Sequence, residues 1–288
     1  MLTVAAPAKV NLTLEVLGKR EDGYHEIRSV VQAIDLCDHL HLRLHDVTDF
    51  KSDTPGWVPG KSLASKAVAF LQEATGCSRG VTVEVEKRIP LLSGLGGDSS
   101  DAAAVLRGLN RLWGLELPQE RLLELAAQLG SDVAFFLHGG TALMEGRGER
   151  VTPLPSLPAT WFVLVRPVVP HEPGKTRRAY ASLKPGDHTD GRITERLVEV
   201  LKSGGELTPS LLFNTFEGSV LAGSPEVARC REQMIEAGAG GVHLAGSGPV
   251  LFAVAEERAG AETLCQQLRQ QGMETYLAGA FATTDELE

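Results

Sequence analysis

Cysteine is scarce and scattered in this chain. None of its cysteines belongs to a Cys-x-x-Cys pair, and long stretches separate the four, which are Cys37, Cys77, Cys230 and Cys265. Neither a disulfide framework nor a cysteine-bound zinc ion is therefore indicated. We interpret all four as small hydrophobic residues of the interior.

Positive charge, aromatic residues and long apolar runs are also in short supply. Lys and Arg number 28 against 37 Asp and Glu, and the net charge of −9 argues against nucleic-acid binding through a basic surface. Aromatic residues make up only 5% of the chain, which is few for a protein that stacks bases. No stretch approaches the ~20 apolar residues of a membrane-spanning helix, and no basic segment with an apolar run opens the chain. We predict a cytoplasmic protein without nucleic-acid or membrane partners.

The composition is sufficient for a large hydrophobic core. The chain has 288 residues, of which 43% are hydrophobic, and 31 glycines, as suits a compact α/β or α+β enzyme. Prolines cluster at Pro153, Pro155 and Pro158. Because proline interrupts regular structure, we predict a boundary there between two lobes, residues 1–155 and 156–288.

The stretch 90–104 joins a strand pattern to a helix pattern through a glycine-rich turn. Valines alternate with polar residues over 81–86, and apolar residues recur at helical spacing over 102–113. The glycines allow a ligand close to the backbone, and Ser99 or Ser100 could cap the helix, whose free N–H groups attract anions. We interpret the stretch as a cradle for nucleotide phosphates; an ordinary tight turn with a serine cap is the alternative.

Two acidic residues, Asp98 and Asp101, lie in the same stretch. Each could stabilise the positive end of the helix, an effect worth up to ~1 kcal/mol. Alternatively, one of them could help to hold a metal ion that bridges the phosphates. The pattern leaves both possibilities open and assigns no metal ligands.

The first strand pattern has polar side chains on one face. Within residues 3–16, apolar and polar side chains alternate from position 9 onwards, and Lys9 and Asn11 fall on the polar face. A surface lysine is the ordinary interpretation of Lys9, although its place at the start of the strand could hold it at a cleft edge. The polar turn that follows contains Tyr24 and His25, which could pack over a hairpin or could stack on and hydrogen-bond a heterocyclic base.

A second candidate for chemistry follows a helix pattern that ends at Gly130. Asp132 stands just before the apolar run 133–137. It could cap a helix, or it could orient or deprotonate an acceptor hydroxyl at a cleft edge. Farther along, the basic segment 175–180 could bind an anionic substrate, although such clusters are usually solvated.

The remaining periodicity predicts the other elements of both lobes. We expect strands at 30–36, 40–44, 141–144, 161–165, 242–245, 250–254 and 275–281. We expect helices at 119–129, 192–202 and 225–237, one that ends at Gly76 and one around Leu264. The order of the last elements suggests a split β-α-β sandwich in the second lobe.

Three motifs together resemble those of the GHMP kinase superfamily, in order and in spacing. They are Pro7-Ala-Lys-Val-Asn11, Gly94-Leu-Gly-Gly-Asp-Ser-Ser100 and Gly246-Ser-Gly-Pro249, and they span nearly the whole chain. The resemblance implies an α+β, two-lobed GHMP kinase fold. Its N-terminal lobe would be similar to domain 2 of ribosomal protein S5, and its C-terminal lobe would be a ferredoxin-like split β-α-β sandwich.

Four shorter elements narrow the resemblance to one branch of the superfamily. They are Gly23-Tyr24-His25, Gly130-Ser-Asp132-Val, Gly146-x-Gly-Glu149 and Asn214-x-x-Glu217. The branch phosphorylates 4-diphosphocytidyl-2-C-methyl-D-erythritol, a small-molecule substrate of non-mevalonate isoprenoid precursor biosynthesis. The resemblance implies transfer of the γ-phosphoryl group of ATP to the 2-hydroxyl, with Mg²⁺ on the nucleotide, by a monomer or a homodimer.

The resemblance also implies roles for individual residues. Lys9 and Asp132 would be the catalytic pair, with Asp132 accepting or orienting the hydroxyl proton while Lys9 stabilises charge. The ATP phosphates would be bound by Pro90, Leu91, Leu92, Ser93, Gly94, Leu95, Gly96, Gly97, Asp98, Ser99 and Ser100. The acceptor would be bound by Asn11, Tyr24, His25, Lys175, Thr176, Tyr180, Gly246, Ser247 and Gly248.

Three positions depart from the superfamily pattern, and two other functions remain open. Asp98 stands where a small residue is usual, Ser62 where asparagine is common, and Ala245 where serine or threonine is commoner.

A kinase of the homoserine or mevalonate type would explain the glycine motifs but not Tyr24, His25 and Tyr180. A non-catalytic nucleotide-binding regulator on the same fold is the other alternative, although both catalytic positions are retained.

Overall fold

The computed structural model describes residues 1–170 and 174–281, which form two β-sheets flanked by helices. The strands are β1 (Leu2–Asn11), β2 (Thr13–Lys19), β3 (His25–His45), β4 (Asp49–Lys51), β5 (Gly80–Glu86), β6 (Thr141–Gly146), β7 (Arg150–Pro153), β8 (Trp161–Arg166), β9 (Phe213–Asn214), β10 (His243–Leu244), β11 (Leu251–Ala255) and β12 (Glu274–Gly279). The helices are α1 (Leu63–Thr75), α2 (Gly97–Trp113), α3 (Gln119–Leu129), α4 (Val133–His138), α5 (Lys175–Ser182), α6 (Arg192–Lys202), α7 (Glu217–Gly223), α8 (Pro225–Glu236) and α9 (Arg258–Gln270). Within these described residues, no helix combines the length and the apolar character needed to cross a membrane.

The first sheet is built around β3, a single strand of 21 residues. It pairs antiparallel with β1, β2, β5 and β6, so each segment of its length has a partner. The prediction of separate strands at 30–36 and 40–44 was therefore wrong. The acidic and polar residues between them remain in the ladder because β1 and β5 satisfy their backbone groups.

Proline shapes β1 just before its functional residues. The register between β1 and β3 shifts between Pro7 and Ala8, where the chain forms a bulge. Pro7 has no N–H to donate to the ladder, so an irregularity at this point costs little. Beyond the bulge, Lys9 lies opposite Ala33 and Asn11 lies opposite Val31. The bulge thus redirects the strand segment that carries both polar side chains.

Helices α1 to α4 cover the first sheet and complete its core. In α1 the buried residues are Ala64, Ala67, Val68 and Leu71, and the helix ends at Gly76, as predicted. The predicted helix at 119–129 is also confirmed. Helix α2 is buried along most of its length, since it packs against both β1 and α1. Such continuous burial places its first turn firmly against the sheet.

The second sheet has the order β10-β11-β8-β12 and is antiparallel throughout. Phe162 of β8 and Phe252 of β11 pack together at 6.1 Å between ring centroids. The predicted helices at 192–202 and 225–237 are confirmed as α6 and α8, the second one residue shorter. The order of these strands and helices agrees with the split β-α-β sandwich.

Backbone and side-chain hydrogen bonds join the two halves of the chain. Strand β9 pairs in parallel with β2, so the second half contributes a strand to the first sheet. The Gln32 side-chain amide donates to Phe281 O at 3.0 Å, and Phe281 N donates to Ala33 O at 3.2 Å. The lobe boundary between residues 155 and 156 stays a prediction.

All four cysteines are free thiols. Cys37, Cys230 and Cys265 are buried, as predicted, whereas Cys77 is half-buried. Burial raises the pKa of the Cys230 thiol to about 11, so it stays protonated at neutral pH.

Candidate active site

The strand β1 and the start of α4 bring Lys9 and Asp132 together. The Lys9 ammonium lies 3.5 Å from Asp132 Oδ2 and donates to Asn11 Oδ1 at 2.7 Å. Lys9 is only 5% exposed, so its charge is held in place rather than moving freely in solvent. Lys9 is therefore not an ordinary surface lysine.

A chain of hydrogen bonds fixes the amide of Asn11. Asn11 Nδ2 donates to Ser29 Oγ at 2.9 Å, and Ser29 Oγ donates to Thr13 O at 2.5 Å. Because Nδ2 is the donor to Ser29, Oδ1 must face the Lys9 ammonium. The network therefore holds Lys9 in one position beside Asp132.

Asp132 occupies the residue before α4, but its side chain makes no capping hydrogen bond there. Its carboxylate is 35% exposed and lines a cavity of about 730 Å³. The capping alternative therefore does not describe Asp132. A carboxylate beside a buried ammonium, at the wall of a cavity, is placed to accept a proton from a bound hydroxyl.

The glycine-rich loop between β5 and α2 lies directly beside Lys9. Lys9 N donates to Leu95 O at 3.0 Å, which fastens the loop to β1. Gly96, with φ +74°, is the residue before α2, and a Cβ there would lie 3.1 Å from Lys9 Cγ and 2.8 Å from the Phe136 ring. The backbone at Gly96 thus approaches Lys9 more closely than it could if the residue carried a side chain.

The expectation that Ser99 or Ser100 caps α2 was wrong. The helix begins earlier, at Gly97, and Ser100 N already donates to Gly96 O within the first turn. The left-handed conformation of Gly96 ends the loop without a side-chain cap, and Gly97, Asp98 and Ser99 of the first turn line the second cavity. Ser99 lines the wall of both cavities described below.

Asp98 joins the first turn of α2 to the start of α1. Its Oδ1 accepts a hydrogen bond from Leu63 N at 2.9 Å, so it caps a neighbouring helix instead of its own. Ser62, another departure from the superfamily pattern, also serves α1, because its hydroxyl accepts from Ser65 N at 3.2 Å. Both side chains line the second cavity while they hold α1 in position.

Two cavities meet at the glycine-rich loop. The first, of about 730 Å³, contains Lys9, Asn11 and Asp132 in its wall. The second, of about 510 Å³, is lined by Trp57, Lys87 and most of the stretch 90–99. Three residues line both cavities, namely Gly94, Gly96 and Ser99. A ligand in each cavity could therefore meet the other across the loop.

Aromatic residues line the far end of the first cavity. The His25 ring lies 5.1 Å from the Tyr180 ring, which in turn contacts Phe216 edge-on at 4.8 Å. The Tyr24 ring is 52% exposed, and the Arg147 guanidinium lies 5.0 Å from its centroid. This end of the cavity can hold a planar, partly polar ring.

The surroundings of His25 favour its neutral form. Partial burial is the largest cause of the lowered pKa, followed by the neighbouring His188 and Lys19. A neutral imidazole presents one donor and one acceptor, which suits the mixed hydrogen-bonding edge of a heterocyclic base.

The third glycine motif closes the first cavity from the second lobe. A Cβ at Gly246 would lie 2.9 Å from Gly94 O, so the two glycine loops contact each other backbone to backbone. Thr176 Oγ1 lies 3.0 Å from Ser247 Oγ, which links α5 to this motif. Asn214 Nδ2 donates to Leu244 O and Gly246 O, at 2.8 and 2.7 Å, and fixes the loop from below.

Two of the predicted substrate residues are not in the wall of the first cavity. Lys175 lines another cavity, of about 850 Å³. Gly248 packs against the Leu244 side chain, where a Cβ would lie 2.8 Å from Leu244 Cδ1. The structure therefore places seven of the predicted residues in the wall of the first cavity, namely Asn11, Tyr24, His25, Thr176, Tyr180, Gly246 and Ser247. Lys175 and Gly248 lie next to that wall, because a Cβ on Gly248 would be 3.3 Å from Lys175 Nζ and a Cβ on Gly94 would be 3.1 Å from Gly248 O.

The sequence analysis missed a buried charge cluster beneath the glycine-rich loop. Lys87 donates to the carboxylates of Asp38 and Asp101, and all three side chains are almost wholly buried. Asp38 Oδ1 also accepts from Arg88 N and Ile89 N, at 2.6 and 2.8 Å. This contact fixes the backbone that leads into the loop. Asp101 is thus a structural ion-pair partner, not a ligand at the cavity surface.

A methyl group at Gly94 is expected to destabilise the fold and to misplace the loop. Gly94 has φ +87°, and a Cβ there would lie 2.1 Å from Ala245 O. Because Ala245 O is a backbone atom that cannot rotate away, the two loops would have to separate, and we expect Gly94→Ala to cost about 3 kcal/mol of unfolding free energy. Denaturant unfolding would measure this cost.

Gly76→Ala is the matched control for this substitution. Gly76 has φ +69° but no atom within 4 Å of a Cβ, so only the backbone conformation is penalised, at about 1 kcal/mol. If Gly94→Ala and Gly76→Ala lost the same unfolding free energy, the close contact between the two glycine loops would not be the cause of the destabilisation.

Sequence profiles of one kinase family match both halves of the chain. The GHMP kinases N terminal domain matches residues 62–140, and the GHMP kinases C terminal domain matches residues 196–273. The matched segments contain the glycine-rich loop, Asp132 and the third glycine motif.

Curated relatives are similar over nearly the whole chain. The 4-diphosphocytidyl-2-C-methyl-D-erythritol kinase of Dehalococcoides mccartyi is 49% identical over 285 residues, which cover 99% of this chain and 100% of the relative. The protein of the same name from Symbiobacterium thermophilum is 40% identical, with 96% and 98% covered.

Solved structures agree with these relatives. A crystal structure of 4-(cytidine 5'-diphospho)-2C-methyl-D-erythritol kinase superposes with a TM-score of 0.81 at 35% identity, covering 96% of this chain and 98% of that one. A homoserine kinase from Cytophaga hutchinsonii superposes with a TM-score of 0.74 at 21% identity, covering 98% and 95%. Because the homoserine kinase is only 21% identical, its similarity supports the fold and not the substrate.

Proposed function

The chain belongs to the GHMP kinase family, and we propose that it transfers the γ-phosphoryl group of ATP to the 2-hydroxyl of 4-diphosphocytidyl-2-C-methyl-D-erythritol. It is a small-molecule kinase, and its relatives at 48% and 49% identity carry the name of this enzyme of non-mevalonate isoprenoid biosynthesis. The observation that carries the proposal is the Lys9–Asp132 pair, at 3.5 Å, beside the loop where the two cavities meet.

The second cavity fits the nucleotide. Its floor is the glycine-rich loop, and the first N–H groups of α2 supply positive potential for phosphates. Magnesium on a nucleotide usually takes one or two protein oxygens besides phosphate and water. Asp98 and Ser99 line the cavity and could supply them. Magnesium would neutralise the charge that develops on the transferred phosphoryl group.

The first cavity would hold the acceptor with its base among the aromatic residues and its hydroxyl at Asp132. The hydroxyl oxygen attacks the γ-phosphorus, the bond to the β-phosphate oxygen breaks, and the hydroxyl proton passes to the Asp132 carboxylate. Lys9 stabilises the negative charge at the reacting oxygens, and the Asn11 amide keeps Lys9 there. Positioning and electrostatics supply most of the catalysis in such transfers.

The other two functions explain less of the site. Homoserine and mevalonate contain no aromatic ring, so a kinase for either would leave the rings of Tyr24, His25 and Tyr180 without a ligand group to contact. A non-catalytic regulator would not need the buried Lys9 to be held beside the Asp132 carboxylate. The cytoplasmic location and the monomeric or homodimeric state stay predictions.

A phosphoryl-transfer assay with three acceptors tests the proposal. We expect Mg-ATP to phosphorylate the diphosphocytidyl methylerythritol, giving a phosphate monoester at the 2-hydroxyl by phosphorus NMR, with no turnover of homoserine or mevalonate. Turnover of only one of the other alcohols would overturn the cytidine assignment. ATP binding without turnover of any acceptor would support the regulator instead.

A further inference from the structure

We propose that Arg177 binds the diphosphate of the acceptor substrate and is a specificity residue of this kinase. The proposal rests on the proposed function, because it concerns the part of the substrate that joins cytidine to methylerythritol. It assigns a role to a residue that the sequence motifs do not include.

Helix α5 runs along the first cavity from the phosphoryl-transfer end to the aromatic end. Near its start, Thr176 contacts Ser247 of the third glycine motif, which itself touches the glycine-rich loop through Gly246. Near its end, Tyr180 contacts His25. The rise between the two positions is about 6 Å along the helix axis. The helix thus lines the part of the first cavity that lies between the third glycine motif and the aromatic residues.

Arg177 lies within this interval and on the cavity side of the helix. Arg177, Tyr180 and Ala181 all line the first cavity, and their spacing of three and four residues places them on one face of α5. Arg178, the next residue, is not part of the cavity wall. Arg177 is therefore placed in the cavity wall between Thr176, which contacts the third glycine motif, and Tyr180, which contacts His25.

The other cations of the cavity have different positions or partners. Lys9 is buried between Asn11 and Asp132. Arg147 lies over the Tyr24 ring at the aromatic end. Lys19 pairs in register with His25, also at that end. Within the residues that the structure describes, Arg177 has no carboxylate partner, so its charge is available to a ligand.

The chemistry of the substrate requires a cation at this place. The diphosphate carries at least two negative charges, and it lies between the base and the alcohol in the covalent structure of the substrate. The acids Asp22 and Asp132 also line the cavity and would repel it unless a cation offsets them. An arginine can bind two phosphate oxygens at once, so it suits a diphosphate better than a lysine would.

The test compares two arginine variants and two ligands. We expect Arg177→Gln to raise KM for the diphosphocytidyl substrate, and Kd for CDP, by about tenfold at low salt. The value of kcat, KM for ATP and Kd for cytidine, which has no phosphate, should stay unchanged. The CDP affinity of the variant should also depend less steeply on salt than that of the wild type. Calorimetric titration and initial-rate kinetics give these quantities.

Arg178→Gln is the matched control, because it removes the same charge from the same helix outside the cavity. It should leave Kd for CDP at the wild-type value, and Arg177→Lys should recover part of the affinity. If Arg177→Gln bound CDP as well as Arg178→Gln does, or lost cytidine as much as CDP, the inference would be wrong while the proposed function stood. A wild-type protein that bound neither ligand would overturn both.

Discussion

Replacement of Asp132 by asparagine is expected to lower kcat by about a hundredfold to ten-thousandfold. The amide has the shape of the carboxylate but cannot accept the hydroxyl proton. Folding should be nearly unaffected, since the carboxylate is 35% exposed and makes no capping hydrogen bond with α4. Its contact with Lys9, at 3.5 Å, is longer than a strong hydrogen bond. The loss should therefore appear in turnover and not in stability.

Single-turnover kinetics would measure the chemical step of Asp132→Asn directly. Titration with ADP and CDP, together with thermal unfolding, would show that both cavities and the fold persist. A variant that turned over at the wild-type rate would exclude Asp132 as the proton acceptor. Loss of CDP binding in parallel with kcat would instead assign the carboxylate to binding.

Lys87→Met is expected to lower the unfolding free energy by about 3 to 5 kcal/mol, the usual cost of breaking a buried ion pair from one side. Methionine fills most of the volume, but it leaves the carboxylates of Asp38 and Asp101 facing each other without a cation. Both acids are almost wholly inaccessible to solvent. Denaturant unfolding at neutral pH would measure the loss.

Two further variants separate charge from packing in this cluster. Lys61→Met removes an exposed cation from the same cavity and should change stability by less than about 0.5 kcal/mol. Adding Asp101→Asn to Lys87→Met should recover part of the stability, because it removes one of the unpaired charges. If the double variant were no more stable than Lys87→Met, the loss would come from packing.

The pH dependence of Lys87→Met follows from the titration of Asp101. Burial raises the pKa of Asp101 well above its usual range, despite the opposing charge of Lys87. The folded protein therefore holds a proton there more tightly than the unfolded chain does, and stability from this group falls as pH rises past the unfolded pKa. Without Lys87 that pKa rises further, so the deficit of the variant should be largest at alkaline pH and smaller in weak acid.

Local periodicity accounts for the elements that the sequence predicted well. Helix α1 follows from its apolar spacing and from the glycine that ends it, and α6 has the predicted bounds. The apolar residues and the end signal of each helix lie close together in the sequence, so the helix can be predicted without knowledge of tertiary contacts. The juxtaposition of Lys9 and Asp132 was predicted only through the resemblance, because 123 positions separate them in the sequence.

The features that were missed depend on distant partners. The Lys87 cluster joins residues that are 49 and 14 positions apart, and no motif links them. The continuity of β3 depends on its neighbours in the sheet. The prediction of a serine cap was wrong because Gly96 occupies the cap position, three residues before Ser99 and four before Ser100.

Asp98 shows how a departure from a motif can be explained by its neighbours. A small residue at this position would leave Leu63 N, at the start of α1, without the acceptor that Asp98 Oδ1 provides. Ser62 already satisfies the Ser65 N–H group of the same helix. The acid therefore completes the capping of α1, and this contact could not be inferred from either segment alone.

The hydrogen bonds that join the halves of the chain limit how ligands can leave. A hinge motion between the lobes would have to break the β2–β9 pairing and the contacts of Phe281 with Gln32 and Ala33. Helix α5, in contrast, has only eight residues, none of them fully buried. Local opening free energies are lowest where few apolar contacts hold a segment. Product release is thus expected to proceed through a local, transient displacement of α5, with the two sheets acting as a rigid frame.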